Sequence, residues 1–131
     1  MDNLIVISKV KKFIKEQAGM STSSNFFEKL NTDVVSSLKL STEHAKKAGR
    51  KTVMGKDFNI YVENPNIEES LVVASKIKKY IKENEGLNTS SQAFEQLTVR
   101  VQKACLKAIE NAKNSKRKTV MDRDFQEPTN E

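Results

Sequence analysis

The sequence predicts an all-α protein made of two tandem units, each with a short helix, a long helix and a short helix. Composition is the first observation behind that prediction. The 131 residues include 4 Gly, 2 Pro and no Trp, and 31% are charged. Few chain breakers with much Lys and Glu favour helices over a sheet sandwich. The second observation is an internal repeat, because the chain displaced by 67 residues aligns with itself without a gap. LIVISKVKKFIKEQAGMSTSSNFFEKL (Leu4 to Leu30) lies over LVVASKIKKYIKENEGLNTSSQAFEQL (Leu71 to Leu97), and AKKAGRKTVMGKDF (Ala45 to Phe58) over AKNSKRKTVMDRDF (Ala112 to Phe125). Roughly half of the aligned positions are identical, far above chance for a biased composition. The third observation is apolar residues at helical spacing in both copies.

The first helix is expected over about Asp2 to Gln17, where Leu4, Ile7, Val10 and Ile14 share a face with Phe13 alongside. Its repeat over Glu68 to Asn84 carries Leu71, Ala74, Ile77 and Ile81. Gly19 and Gly86 end these helices in the left-handed conformation. MSTSSN and LNTSSQ follow, rich in side chains that accept hydrogen bonds from the free N–H groups of a helix start.

Long helices are expected over Ser24 to Ala48 and Ser91 to Ser115. Phe27, Leu30, Val34, Leu38 and Ala45 form the stripe of one, and Phe94, Leu97, Val101, Cys105 and Ala112 that of the other. Such a stripe is longer than one unit can cover by folding back, so the two long helices should cross. An extended Arg-Lys-Thr-Val-Met piece leads to a third helix beginning near Gly55 or Asp122. It should reach about Val62 in the first unit and be stopped by Pro128 in the second. Met20, Met54, Leu87, Met121 and Cys105 are expected in the core. The units are bounded at 1–63 and 68–131, with 64–67 as a Pro- and Asn-containing linker. Two copies are too few for a solenoid and suit a pseudo-two-fold pair within one chain.

Composition also bounds function. No apolar run approaches the roughly 18 residues of a membrane span, and the start has no signal-peptide pattern, so a cytoplasmic protein without a membrane partner is expected. One Cys and one His, Cys105 and His44, make neither a disulfide nor a zinc site. Phosphate-loop motifs are absent, so no enzyme activity, cofactor or small-molecule substrate is expected. The net charge of +6, from 23 basic and 17 acidic residues, permits a polyanionic partner without requiring one.

The two copies of the RKT loop, each following a long amphipathic helix, resemble the archaeal histones, which carry AGRKT followed by an acidic residue. Lys12-Phe13-Ile14-Lys15 and Lys79-Tyr80-Ile81-Lys82 are similar to the family's basic-apolar-apolar-basic element. The resemblance covers nearly the whole chain. It implies two tail-less histone folds fused as an intramolecular handshake pair, and a nucleoid-associated, prokaryotic-type protein that binds double-stranded DNA without sequence preference. It also implies three contact regions: at each end the first loop of one half beside the second loop of the other, and in the centre the two first helices. The DNA-contact residues so implied are Arg50, Lys51, Thr52, Arg117, Lys118 and Thr119 at the ends, with Lys12, Lys15, Lys79 and Lys82 in the centre. Arg50 with Asp57, and Arg117 with Asp124, are implied as structural salt bridges, a role weighed above direct phosphate contact for either Arg.

The sequence departs from that family in two places. Ser24 and Ser91 stand where archaeal histones carry an Arg that enters the minor groove, so phosphates should carry most of the binding. His44 with Lys47, and Asn111 with Asn114, replace the Leu and His through which those histones stack. Burying Lys47 without a partner is costly, so stacking along DNA is expected to be disfavoured. The alternative function is a histone-fold scaffold for a protein assembly, since acidic residues such as Asp33, Glu63, Glu68 and Glu69 dilute the basic field.

Overall fold

A computed structural model describes residues 3–129. The elements in chain order are α1 (Ile7–Ala18), β1 (Ser21–Thr22), α2 (Ser24–Lys47), β2 (Thr52–Val53), α3 (Ala74–Glu85), β3 (Asn88–Thr89), α4 (Ser91–Asn114) and β4 (Thr119–Val120). Single 3-10 turns at Gly55–Asp57 and Asp122–Asp124 follow β2 and β4.

The two repeats are interleaved rather than side by side. β1 of the first pairs in parallel with β4 of the second, Ser21 opposite Thr119, and β2 pairs with β3, Thr52 opposite Asn88. Each pairing becomes the other when residue numbers are displaced by 67 and exchanged. Ile5 and Val72, themselves 67 apart, form an antiparallel bridge, with Val6 N–H donating to Leu71 at 2.9 Å and Val73 N–H to Leu4 at 2.8 Å. One hydrophobic cluster joins Val10, Ile14, Leu30, Val34 and Leu38 to Ile77, Ile81, Leu97, Val101 and Cys105. The long helices meet within it. Burial pushes the Cys105 thiol up to about 12, so it remains a neutral apolar group.

Several expectations need correction. The expected start of the first helix at Asp2 lies outside the described residues. Among those described, the short helices begin at Ile7 and Ala74, because the preceding residues are extended in the Ile5–Val72 bridge. The third helix starts where expected, at Gly55 and Asp122, but is a single 3-10 turn in each half and does not reach Val62. Phe58 and Phe125 are already extended, at ψ 143° and 133°. Phe58 and Ile60 are buried while Asn59 and Tyr61 are exposed, an alternation of period two that belongs to extended chain. Gln96 fixes that segment by accepting from Val62 N–H at 2.9 Å and donating to its carbonyl at 2.8 Å. Met20 and Leu87 are buried, whereas Met54 and Met121 are only half-buried. Ser23 and Ser90 precede the long helices, but their side chains make no capping bond. Both residues are held extended by N–H bonds across the loop pair, Ser23 to Val120 at 2.8 Å and Ser90 to Val53 at 2.9 Å.

Both long helices close the same way, with a bond from Arg50 N–H to the Ala45 carbonyl and from Arg117 N–H to Ala112, each 3.0 Å. That closure places the preceding residue in the left-handed region: Gly49 at φ 74°, but Lys116 at φ 58°. A side chain there costs about 1 kcal/mol. Denaturant unfolding should show Lys116→Gly more stable by about 1 kcal/mol and Gly49→Lys less stable by a similar amount. Unchanged stability in both variants would contradict the assigned strain.

Candidate nucleic-acid interface

At each end of the molecule a two-residue parallel pair joins a hydroxyl-rich loop to an RKT loop. Asn88 N–H donates to the Lys51 carbonyl at 2.9 Å, and Ser21 N–H to the Lys118 carbonyl at 3.1 Å. Their backbones held, Lys51 and Lys118 leave their side chains exposed. Thr52 and Thr119 sit half-buried in β2 and β4. Their carbonyls accept from the guanidiniums of Arg50 and Arg117, each at 3.1 Å.

The two Arg side chains are turned inward. Arg50 Nη1 donates to Asp57 Oδ2 at 2.8 Å and Nη2 to Oδ1, while Met54 N–H donates to Oδ2 at 2.7 Å. Arg117 repeats the arrangement on Asp124, with Nη1 to Oδ2 at 2.7 Å and Met121 N–H to Oδ2 at 2.8 Å. The halves differ behind the carboxylate. His44 Nδ1 lies 2.8 Å from Asp57 Oδ1, whereas Asn111, its repeat counterpart, donates to the Asp124 backbone carbonyl at 2.9 Å. Desolvation raises the Asp57 carboxyl, but hydrogen bonds from Arg50, Met54 and His44 hold it well below the usual carboxylate range. The Arg117 hydrogen bond likewise lowers Asp124 against its desolvation. These pairs staple the loops and leave the guanidiniums largely committed.

The first-helix lysines lie between the two ends. From the Ile5–Val72 bridge, α1 leads to the β1–β4 end and α3 to the β2–β3 end. Lys12, Lys15, Lys79 and Lys82 on these helices are all exposed. Lys82 Nζ donates to Asn88 at 3.4 Å, so the lysine row of α3 runs directly into the loop that Lys51 shares. Glu69, expected to dilute the basic field, does share this surface, and sequence reasoning missed Glu83 and Glu85 beside it. Lys12 Nζ lies 3.8 Å from Glu69, Lys79 3.9 Å from Glu83, and Lys46 on α2 is 2.6 Å from Glu85 at the end of α3. Only the Lys79–Glu83 spacing of one helical turn was readable in advance.

Beside these cations, the hydroxyls of Thr22, Ser23, Thr89 and Ser90 are buried without a hydrogen-bond partner among the described residues. They sit at the N-terminal ends of α2 and α4, where free N–H groups and the helix dipole favour an anion. Ser24 and Ser91, the first helical residues, are exposed and uncharged. Among the described residues no cluster suited to a metal ion occurs, and no helix is long and apolar enough to cross a membrane.

A carboxylate held low in the folded state stabilises it above the unfolded value near about 3.9 and loses that contribution as pH falls. Melting temperature should therefore hold between neutral pH and about 5 and fall below about 4. The Asp57→Asn/Asp124→Asn variant should melt lower at neutral pH and show a flatter acid limb. A wild-type and a variant profile of the same shape would contradict the stapling role.

No family model and no curated protein matches the sequence. Among solved structures, the crystal structure of the histone from Methanopyrus kandleri is similar, with a TM-score of 0.62 at 20% identity over 92% of this chain and 89% of that one. That likeness shows the fold: the chain is a mostly helical protein with the histone fold.

Proposed function

We propose that the chain is two histone folds fused into one pair, and that it binds duplex DNA without sequence preference, bending or compacting it within the nucleoid. The pairing of each RKT loop with the hydroxyl-rich loop of the other repeat carries this reading. It gives both ends the same composition: an exposed Lys, backbone N–H groups and the start of a 24-residue helix. The alignment with one chain of the M. kandleri histone spans both repeats, which supports the fused pair over residues 1–63 and 68–131 with 64–67 as the joint.

Lys51 and Lys118 at the ends, with Lys12, Lys15, Lys79 and Lys82 along the first helices, supply the phosphate contacts. Thr52 and Thr119 position the loops, and Arg50 and Arg117 act through Asp57 and Asp124 more than on phosphate. Helices α1 and α3 have 12 residues each. End to end they span up to about 36 Å, close to one turn of duplex. With no charge at Ser24 or Ser91, affinity comes from phosphates and falls with salt. Exposed Leu40 and Leu106 on the long helices favour a second reading, a scaffold that docks another protein. With His44 engaged by Asp57 and Lys47 exposed, each fused pair acts as its own unit rather than stacking into a filament.

In a gel-shift titration with random duplex at about 50 mM salt, the wild type should shift DNA, and Lys51→Glu/Lys118→Glu should weaken binding at least about tenfold. Both side chains are exposed, so the circular-dichroism spectrum should be unchanged. Equal affinity of variant and wild type would contradict the loop assignment, and no shift by the wild type would favour the scaffold.

A further inference from the structure

Asp33 and Arg100 occupy the same repeat position, 67 residues apart, and carry opposite charges. They meet where the long helices cross: Arg100 Nε donates to Asp33 Oδ2 at 2.7 Å and Nη2 to Oδ1 at 2.9 Å. The Arg100 and Asp33 side chains are only 5% and 8% exposed, respectively. A residue that touches its own repeat counterpart lies on the axis that exchanges the two halves, as Ile5 and Val72 do at their bridge. At that axis an unlike pairing of halves gives a two-bond ion pair. A like pairing gives Asp facing Asp, or Arg facing Arg, with the charge buried.

The neighbouring positions do not discriminate in this way. Leu30 matches Leu97, and Val34 matches Val101. Asn31 accepts from Leu4 N–H at 2.6 Å and Thr98 from Leu71 N–H at 3.2 Å, the same task in each repeat. Net stability is a weak reason for a buried ion pair, since apolar replacement of both partners is often neutral. Discrimination is a strong one, because leaving either charge without its partner is severely penalised. Arg100 is anchored further by Asn59, which accepts from Nη1 at 3.1 Å, and by Glu127 Oε1 at 3.6 Å from Nη2.

We propose that the Asp33–Arg100 pair selects the partner of each half, so that first pairs with second and the chain closes on itself instead of joining like halves of two copies. This rests on the reading of the repeats as one intramolecular pair. It is tested on the full chain by light scattering across a wide concentration range, with helix content followed in parallel. The wild type and the reversed pair, Asp33→Arg/Arg100→Asp, should keep single-chain mass. The uncharged variants Asp33→Leu/Arg100→Met and Asp33→Asn/Arg100→Gln allow like pairing and should form two-chain species at least about tenfold more readily. The amide variant keeps the polarity of the site and covers failure of the apolar one to fold. Folded uncharged variants that remain single chains like the wild type would overturn the proposal. A wild type of two-chain mass at every concentration would instead overturn the intramolecular pairing beneath it.

Discussion

Helices α2 and α4, 24 residues each, carry apolar stripes that their own repeats do not cover, and the rest of the structure depends on their burying one another. A half of about 65 residues buries too little surface to be secure alone. Crossing the long helices solves this and dictates what lies at their ends. The loop entering α2 arrives beside the loop leaving α4, and the reverse holds at the other end. The loop pairs are thus consequences of the crossing, and so is the composition of any surface they form.

The same constraint separates structural cations from available ones. Arg50 and Arg117 turn inward to buried carboxylates because each loop must be held against the end of a long helix. Lys51 and Lys118, one residue on, are held only through their backbones and keep their side chains in solvent. Two adjacent basic residues thereby take opposite roles, which a count of charges does not distinguish. Glu69 beside Lys12 tempers the central row, as does Glu83 beside Lys79.

Much of this was legible in the sequence wherever a signal recurred in both halves. The long helices, the Gly19 and Gly86 stops and the RKT loops were read from periodicity and from the 67-residue displacement. Signals that took each half alone misled, because bonds from the other half set the backbone there. The helix expected from Gly55 to Val62 stops after one 3-10 turn, and from Phe58 the alternation of buried and exposed residues is that of an extended chain, fixed by Gln96 from the other repeat. Ser23 and Ser90 looked like caps, but cross-loop bonding set their backbones first. In the sequence alone, Asp33 is only one of the acidic residues that dilute the basic field. Its burial against Arg100 follows from their equivalence under the repeat, which gains meaning once the halves are known to cross. Contacts such as Lys46–Glu85 link residues 39 apart and have no local signature.

The central claim is that a duplex lies along six lysines distributed over two loop ends and two first helices. The most direct test is the dependence of DNA affinity on salt, measured on the wild-type chain with random duplex. Six phosphate contacts predict that log affinity falls against log salt with a slope of about −5. A slope near zero, or one unchanged when the six lysines are neutralised, would contradict it.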